Sequence, residues 1–294
     1  MDLNALKDFH LVAAHGGFGK ASRASGRPKA TLSRRVAELE ATLGVQLIAR
    51  GATHRPLTEA GELLRRRTET AIHDVTDALA TVRDGLDAPR GLLRVAVPIL
   101  FGQVAMGRLS ARFRARHPDM QLEVVAADRM VDLVDDGFDV AIRTNPRPAR
   151  EIDGRCFAKD RLVLAAAPSL PMPTGPQDTP FPAPAVVMPS FRAGTVWSVP
   201  DAGFSIAPEP ALRLTSLMML RDAIVEGAGV GLLPKSIIGS LVDQGRLVTW
   251  DVTGDIVELW ALHTARRLQS PKVRAFLDFL DAQYPDGWFR APDA

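Results

Sequence analysis

The chain lacks the features that define several large protein classes. It contains a single cysteine, Cys156, among 294 residues, so it can form no internal disulfide, which fits a reducing compartment. Its formal net charge of only +2 excludes a histone-like coat for DNA. No apolar run approaches the ~20 residues that a membrane span requires, and no basic segment followed by an apolar run opens the sequence. We therefore expect a folded, cytoplasmic protein.

Recognisable catalytic and metal-binding patterns are also missing from the sequence. The six histidines form no metal-like spacing with cysteine or acidic residues. There is no Gly-x-Ser-x-Gly elbow and no phosphate-binding Gly-Lys-Ser or Gly-Lys-Thr loop. We therefore expect no enzymatic activity, no metal and no cofactor. Two alternatives stay open: an enzyme with a fused DNA-binding head, and a redox-sensing regulator in which Arg155 and Lys159 lower the pKa of the Cys156 thiol.

The most informative segment that is present covers residues 18–43, which reads as two short helices joined by a tight turn. Ser25-Gly26 supplies the turn, and Pro28 suits the first position of the second helix, where a missing N–H costs nothing. The second helix has small, polar and basic residues on one face, the layout of a helix that enters the DNA major groove. A helical hairpin with a solvated basic face is the alternative. The apolar residues of the other face recur at helical spacing: Leu32, Val36, Leu39 and Leu43.

The distribution of charge favours the DNA-binding interpretation. Residues 1–60 contain nine Lys or Arg against five Asp or Glu, so the rest of the chain carries a net charge of −2. A basic module on a slightly acidic body predicts a polyanion partner for the module alone. A short β-ribbon, or wing, is expected after the second helix, and its basic tip suits a narrow minor groove. The candidate DNA contacts are Lys20, Ser22, Lys29, Thr31, Ser33, Arg34 and Arg35, with Arg50, His54 and Arg55 in the wing.

A long helix is predicted from Thr58-Glu59 to about Leu86. Its start has the chemistry of an N-cap followed by an acidic first turn. Apolar residues then alternate four and three apart, which is a heptad seam. We expect this seam to pair with a second copy of the chain, while packing against its own chain is the alternative. The candidate dimerisation residues are Leu64, Ala71, Val75 and Val82.

From Gly91 onward, short β-runs alternate with helices, which predicts an α/β sheet with helices on both faces. Seven prolines between Pro168 and Pro184 predict a loop or an extended connection. Their position midway through about 200 residues favours two lobes. The expected domains are a winged helix–turn–helix (1–58), a linker and dimerisation helix (59–89) and a two-lobed domain (90–294), with lobe I at about 90–161 and 266–294 and lobe II at about 162–265.

Several motifs carry a family resemblance over essentially the whole chain. They occupy residues 6–9, 17–22, 32–36, 39–47 and 57–61, then 91–98, 128–143 and 225–234. Through them the chain resembles the LysR-type transcriptional regulators. The resemblance implies an all-α winged helix–turn–helix, a linker helix and a two-lobed α/β effector domain similar to periplasmic binding proteins. It also implies a homodimer or homotetramer that binds double-stranded operator DNA and responds to a small-molecule effector, with RNA polymerase as a further candidate partner.

The effector is expected where strands end and helices begin, which is where α/β sheets bind ligands. An anionic or aromatic molecule can there use free helix N–H groups, Gln103 and Arg143. The alternative is that Arg143 pairs with Asp139 and that Ile99 and Phe101 belong to the core. The candidate effector-binding residues are Pro98, Ile99, Leu100, Phe101, Gln103, Arg143, Ser216 and Gly229.

Overall fold

The computed structural model describes residues 2–49, 57–84, 88–129, 133, 136–147, 152–176, 178–268 and 270–290. The chain divides into two compact units, one formed by residues 1–88 with 132–138 and the other by residues 89–131 with 139–294. Across these described ranges, no helix combines the length and the apolar character needed to cross a membrane.

The first unit is helical. Asp2 caps its first helix by accepting a 2.8 Å hydrogen bond from the Asn4 N–H. Pro28 is the N-cap of the third helix, one position earlier than predicted, because its carbonyl already accepts from the Thr31 and Leu32 N–H groups. Gly44 ends that helix in a left-handed conformation, with φ at 70°. The four helices are α1 (Leu3–Ala14), α2 (Phe18–Ser25), α3 (Lys29–Leu43) and α4 (Glu59–Asp84).

The core of this unit is made by the apolar stripes that the helical spacing predicts. Phe9 of α1 and Leu32 of α3 are both completely buried at its centre. Leu43, the last residue of the predicted stripe, is instead 40% exposed because α3 ends there. The other buried members are Ala5, Leu6, Val12, Phe18, Ala21, Val36, Leu39, Leu47 and Ile48.

The base of the predicted wing is formed by an antiparallel bridge between Ile48 and Leu57. The Glu40 carboxylate accepts the N–H groups of Leu47 (2.7 Å) and Ile48 (3.1 Å), which fixes the start of the ribbon against α3. The wing tip, with the predicted DNA contacts Arg50, His54 and Arg55, lies outside the described residues.

The start of α4 is held tightly against this ribbon. The Thr58 hydroxyl accepts the Gly61 N–H at 3.0 Å and donates to the Gln46 carbonyl at 2.6 Å, so the predicted N-cap also ties the helix to the wing. A Cβ atom on Gly61 would lie 2.1 Å from the Leu47 carbonyl oxygen. Only glycine allows this approach.

The described residues of the second unit form two sheets. The larger one has the strand order β2-β1-β3-β9-β4-β8, and the smaller one has the order β5-β7-β6. In the larger sheet, β1 is parallel to β2 and β3, and the other pairs are antiparallel. The strands are β1 (Gly91–Val97), β2 (Met120–Ala126), β3 (Val140–Thr144), β4 (Ile152–Ala166), β5 (Phe181–Val187), β6 (Trp197–Val199), β7 (Phe204–Arg213), β8 (Gly231–Pro234) and β9 (Val248–Thr264).

Helices cover these sheets, as the alternation of elements predicts. The helical segments α5 and α6 form one continuous helix, because a π-helical turn, Gly102–Met106, joins them. Short 3₁₀ turns occupy Pro200–Ala202 and Lys235–Ile237. The α-helices are α5 (Ile99–Phe101), α6 (Gly107–Arg116), α7 (Leu217–Val225), α8 (Gly239–Asp243), α9 (Ala265–Leu268) and α10 (Pro271–Gln283).

Two long strands, β4 and β9, run through both lobes. Residues 162–165 of β4 pair with β8, while residues 259–262 of β9 pair with β3 in the sheet of lobe I. Residues 259–262, which were expected in lobe II, therefore pair within the sheet that contains β1 to β3. In lobe II, Val163 and Ala165 face one core cluster and Leu164 and Ala166 face another, which follows the two-residue period of a strand buried on both sides.

The proline-rich segment differs from its predicted loop in one respect. Strand β5 begins at Phe181 and includes Pro182 and Pro184, and it pairs in parallel with β7. β7 itself contains Pro208 and Pro210, which lie beyond the part that pairs with β6. Proline cannot donate to a β-ladder, so it is tolerated where a strand has no neighbour on one side.

Candidate DNA-binding surface and ligand cavity

Four of the predicted DNA contacts are exposed side chains of α2 and α3. Lys29, Ser33 and Arg34 are exposed on the first half of α3, and Thr31 is half-buried beside them. In α2, Lys20 is exposed. Ser22, which is half-buried, donates its hydroxyl to the Arg27 carbonyl at 2.7 Å and thereby closes the turn between the helices.

Arg34 is a highly exposed arginine that forms an ion pair on its own helix. Its guanidinium donates to Glu38 one helical turn later at 2.7 Å, and the two side chains are 66% and 52% exposed. An exposed i,i+4 ion pair contributes only about 0.3–0.5 kcal/mol, so a phosphate or a guanine can compete for Arg34.

Arg35 has a different environment from Arg34, although it is its neighbour in sequence. Asp8 of α1 is completely buried, and its carboxylate pairs with Arg35 (3.1 Å) and with Arg27 of the turn. This triad ties α1 to both parts of the helix–turn–helix. Its signal in the sequence is an acidic residue on the buried face of α1, since a buried carboxylate requires a cation or hydrogen-bond donors.

Helix α4 uses the first half of its apolar stripe inside its own unit. Leu64 and Ile72 pack against the helical core, and His10 and Thr68 form a 2.7 Å hydrogen bond. Packing on its own chain, the alternative to dimerisation, therefore accounts for Leu64. Farther along, Ala71 is exposed and Val75 half-buried, and the side chain of Val82 lies outside the described residues. Leu79, which the sequence analysis did not select, is 57% exposed.

The second unit contains a cavity of about 480 Å³ between the two lobes. That volume lies within the range of small-molecule sites. Lobe I contributes the start of α5, and lobe II contributes the start of α7, with β4 and β9 passing between them. The lining residues are Pro98, Ile99, Leu100, Phe101, Gln103, Asp128, Thr144, Asp160, Leu162, Met188, Thr215, Ser216, Leu217, Pro234, Val257, Leu259 and Phe289.

Six of the eight predicted effector residues line this cavity: Pro98, Ile99, Leu100, Phe101, Gln103 and Ser216. Arg143 and Gly229 do not. The Arg143 guanidinium donates to the Ile142 carbonyl at 2.9 Å, and burial lowers the pKa of this arginine. Asp139, its alternative partner, instead pairs with Arg267 (3.1 Å) and Lys272 (3.3 Å).

Gly229 has a structural explanation. A Cβ atom there would lie 2.4 Å from the Pro184 carbonyl oxygen, and its φ of 152° is one that side-chain-bearing residues rarely adopt. The neighbouring Val230 exchanges backbone hydrogen bonds with Pro184 and Val186. The close approach that glycine allows is therefore to strand β5.

The cavity is mostly apolar, with a small set of polar groups. The Ser216 side chain makes no capping hydrogen bond to its own helix, so its hydroxyl is available to a ligand. Asp128 accepts the Ile99 N–H at 2.9 Å. Asp160, only 6% exposed, accepts three hydrogen bonds, and burial raises the pKa of its carboxyl group. No lysine or arginine is among the described residues that line the cavity.

Sequence reasoning missed the lining residues that come from distant segments. Thr144 and Thr215 were detectable, since each adjoins a residue that the strand-end argument selected. Phe289 left no such signal. It reaches the cavity because its N–H donates to the Lys159 carbonyl at 2.7 Å, which places the C-terminal segment beside β4. Its ring then packs against Phe101 at a centroid distance of 5.3 Å.

Cys156 has an environment opposite to that of a redox switch. Burial raises the pKa of its thiol, and the nearby Glu258 carboxylate raises it further, against a smaller opposing effect of Lys159. Arg155, which was expected to help lower this pKa, pairs with Asp278 and Asp281. A raised thiol pKa lowers reactivity because the thiolate is the reactive form. Among the described residues, no group of three or more His, Cys, Asp or Glu is placed to hold a metal ion.

A winged helix–turn–helix followed by a two-lobed domain with a cavity between its lobes defines a class of protein, the ligand-responsive DNA-binding regulator. Comparison with known proteins identifies the family. The family described as "LysR substrate binding domain" matches residues 86–285, and "Bacterial regulatory helix-turn-helix protein, lysR family" matches residues 3–62. The chain belongs to the LysR family of transcriptional regulators.

Individual relatives agree with this assignment over nearly the full chain. An HTH-type transcriptional regulator of Xanthomonas campestris pv. campestris (strain 8004) is 30% identical over 290 residues, covering 95% of this chain and 84% of the relative. The regulator PtxR of Pseudomonas aeruginosa is 29% identical, with coverage of 95% and 92%. The structure of CrgA, a LysR-type regulator from Neisseria meningitidis, has the same fold, with a TM-score of 0.57, 22% identity and coverage of 96% and 99%.

Proposed function

We propose that this regulator contacts operator DNA through the first half of α3 and is switched by a small molecule bound in the 480 Å³ cavity between the lobes. The observation that carries the second part is that both lobes line one largely apolar cavity with few polar groups. A molecule bound in this cavity contacts both lobes at once, so it favours one arrangement of the lobes over others. A ligand shifts only the states that it distinguishes.

We propose further that the cavity binds its ligand without converting it. A nucleophile next to a general base is the usual requirement for covalent catalysis. The lining offers Thr144, Thr215 and Ser216 as hydroxyl groups, and no histidine is among the described lining residues. Its two carboxylates, Asp128 and Asp160, accept hydrogen bonds from other groups and not from these hydroxyls. Incubation of the purified protein with a bound ligand, followed by mass spectrometry, tests this point, and any turnover would contradict it.

The ligand site is tested by filling the cavity from a residue that is not part of a core. Thr215 is exposed at the cavity wall, so Thr215→Trp is expected to occupy the cavity without disturbing the fold. Thr195→Trp is the matched control, since Thr195 is exposed in the segment before β6 and does not line the cavity. Ligands for this test are found by a melting-shift screen of small organic acids, amines and alcohols. The DNA needed to measure the response to the ligand is selected from a random duplex library. Normal ligand binding by the Thr215→Trp variant would contradict the proposed site.

The second half of α4 is the proposed dimer contact. Leu64 and Ile72 are used inside the unit, so the surface left for a partner is the continuation of the stripe at Val75 and Leu79. A helix whose apolar seam is partly accessible, as at the half-buried Val75 and the exposed Leu79, can bury it by pairing with a second copy. Val75→Glu is expected to reduce the molar mass in light scattering, because a buried, unpaired carboxylate is unfavourable. An unchanged mass would refute the seam.

A further inference from the structure

The cavity wall contains a buried carboxylate, Asp160, that forms no ion pair with the described residues. Asp160 lies on β4, and its Oδ1 accepts the N–H groups of Arg161 (2.8 Å) and Ser236 (3.3 Å). Its Oδ2 accepts the Ser236 hydroxyl at 2.6 Å. All three donors are neutral, and no Lys, Arg or His of the described residues forms an ion pair with Asp160. A carboxylate removed from water is stabilised most by a full opposite charge.

The other polar groups of the cavity do not supply that charge. Asp128, the second carboxylate, is exposed and accepts the Ile99 N–H. Gln103, Thr144 and Ser216 are neutral. Two carboxylates therefore face a cavity to which the described residues contribute no basic side chain.

The N-termini of the helices that begin at the cavity attract an anion and thus oppose the two carboxylates, but this attraction is the smaller effect. Each helix N-terminus is equivalent to about half a positive charge and is worth roughly 0.3–1 kcal/mol to an exposed anion. Asp128 already occupies the N–H of Ile99 at the first of them. An anionic ligand would thus approach two acidic side chains, of which Asp128 interacts with a nearby arginine, Arg143.

We propose that the ligand of this cavity is a small organic cation, a protonated amine on a compact apolar body, and that the Asp160 carboxylate pairs with its ammonium group. This inference rests on the proposed ligand site between the lobes. It also revises the expected chemistry of the ligand, which the sequence analysis gave as anionic or aromatic from the helix N–H groups, Gln103 and Arg143.

The geometry suits such a molecule. An ammonium group has three donors. Asp160 and the uncommitted hydroxyl of Ser216 are acceptors in the same lining. The aliphatic and aromatic residues of the cavity surround the apolar body, and they are Ile99, Leu100, Leu162, Met188, Val257 and Phe289.

Matched sets of compounds test this selectivity on the full-length protein. Each set keeps one apolar body and changes the head group, for example 2-phenylethylamine, 2-phenylethanol and 3-phenylpropionate, with corresponding sets built on isopentyl and cyclohexylmethyl bodies. Binding is measured by calorimetry and by the shift of the unfolding temperature at neutral pH. We expect at least one amine to bind about tenfold or more tightly than its own alcohol and carboxylate, because burial strengthens a charge pair.

Asp160→Asn is expected to abolish the preference for the amine. Asp243→Asn is the matched control, because Asp243 is exposed and does not line the cavity between the lobes. The unfolding temperature of each variant without ligand verifies that it is folded. A preference that survives in Asp160→Asn would overturn the role of Asp160.

The outcomes separate this inference from the function on which it rests. Carboxylates or alcohols that bind as tightly as the amines, and whose binding Thr215→Trp prevents, would leave the ligand site standing and refute its selectivity for cations. Compounds that bind equally well to the Thr215→Trp variant would refute both. Failure of every amine to bind would also refute the selectivity.

Discussion

The DNA-binding surface and the ligand cavity are encoded in the chain in different ways. The candidate contacts on α3 lie within a few consecutive residues, because a helix exposes one face at a fixed spacing. The cavity draws its lining from Pro98 to Phe289. A local pattern can identify the first kind of site, whereas the second depends on which distant segments the fold brings together.

The largest expected effect compares two glycines, one from each unit. Gly61→Ala should lower the free energy of unfolding of the DNA-binding unit by about 1–3 kcal/mol, because the added Cβ meets the Leu47 backbone and overpacking has this typical cost. Gly107→Ala, in α6, meets nothing within 4 Å and should raise the stability of the other unit by about 0.5–1 kcal/mol. Denaturant unfolding and DNA binding measure both changes.

A lower free energy of unfolding in Gly61→Ala together with a higher one in Gly107→Ala would support close packing of the α4 start against the wing. Equal effects, or normal stability and DNA affinity of Gly61→Ala, would show that the approach of Gly61 to Leu47 can relax.

The same contrast explains how much of the molecule could be predicted. The sequence predicted the helices of the first unit because Leu32, Val36 and Leu39 recur at helical spacing and are all buried. It also predicted the edge of the cavity at Pro98 to Phe101, where a strand ends and a helix begins. These predictions depend only on neighbours along the chain.

The errors arise where tertiary pairing decides the outcome. Arg143 ends its strand as expected, yet its guanidinium turns to the Ile142 carbonyl instead of the cavity. β6 and the outer part of β4 are too short or too polar to show a strand pattern, and they form because neighbouring strands supply hydrogen-bond partners. The role proposed for Asp160 rests on its burial without an ion pair among the described residues, which spacing along the chain cannot reveal.

The next comparison separates two adjacent arginines of α3. Arg34→Ala should weaken operator binding at fixed salt by ~1–3 kcal/mol and leave the unfolding free energy within about 0.5 kcal/mol of wild type. Arg35→Ala should instead lower the unfolding free energy by roughly 1–3 kcal/mol, because Asp8 stays buried with one partner fewer. Gel shift and urea unfolding of the same preparations distinguish the two effects. An Arg34→Ala variant with wild-type DNA affinity would remove Arg34 from the interface.

A smaller effect concerns the stability of the unit that contains the cavity. Burial raises the pKa of Asp160, so the native state holds this proton more tightly than the unfolded chain does. Its ionisation therefore costs stability as the pH rises from the ordinary carboxyl range through the raised pKa. Asp160→Asn should match wild type at low pH and be more stable at neutral pH without ligand. Parallel urea unfolding at several pH values measures the difference.

The charged groups around Asp160 are the relevant controls for that pH dependence. Those lining the adjoining cavity carry both signs: Arg161, Lys235, Asp243, Asp251 and Arg290. Asp243→Asn should therefore show no stabilisation of the Asp160→Asn kind. If Asp160→Asn is less stable than wild type at neutral pH, the three neutral hydrogen bonds outweigh the burial of the charge.

The smallest expected effect tests whether the ion pair with Glu38 competes with DNA for the Arg34 guanidinium. Glu38→Ala removes the 2.7 Å ion pair between two exposed side chains, so the free energy of unfolding should fall by only about 0.3–0.5 kcal/mol. DNA affinity should rise slightly, because Arg34 no longer exchanges one partner for another and a negative charge near the phosphates is lost. In the double variant Arg34→Ala/Glu38→Ala, the gain from freeing Arg34 should vanish and only the long-range charge effect should remain. A gain in DNA affinity that is equal with and without Arg34 would mean that Glu38 acts on DNA directly and does not restrain the arginine.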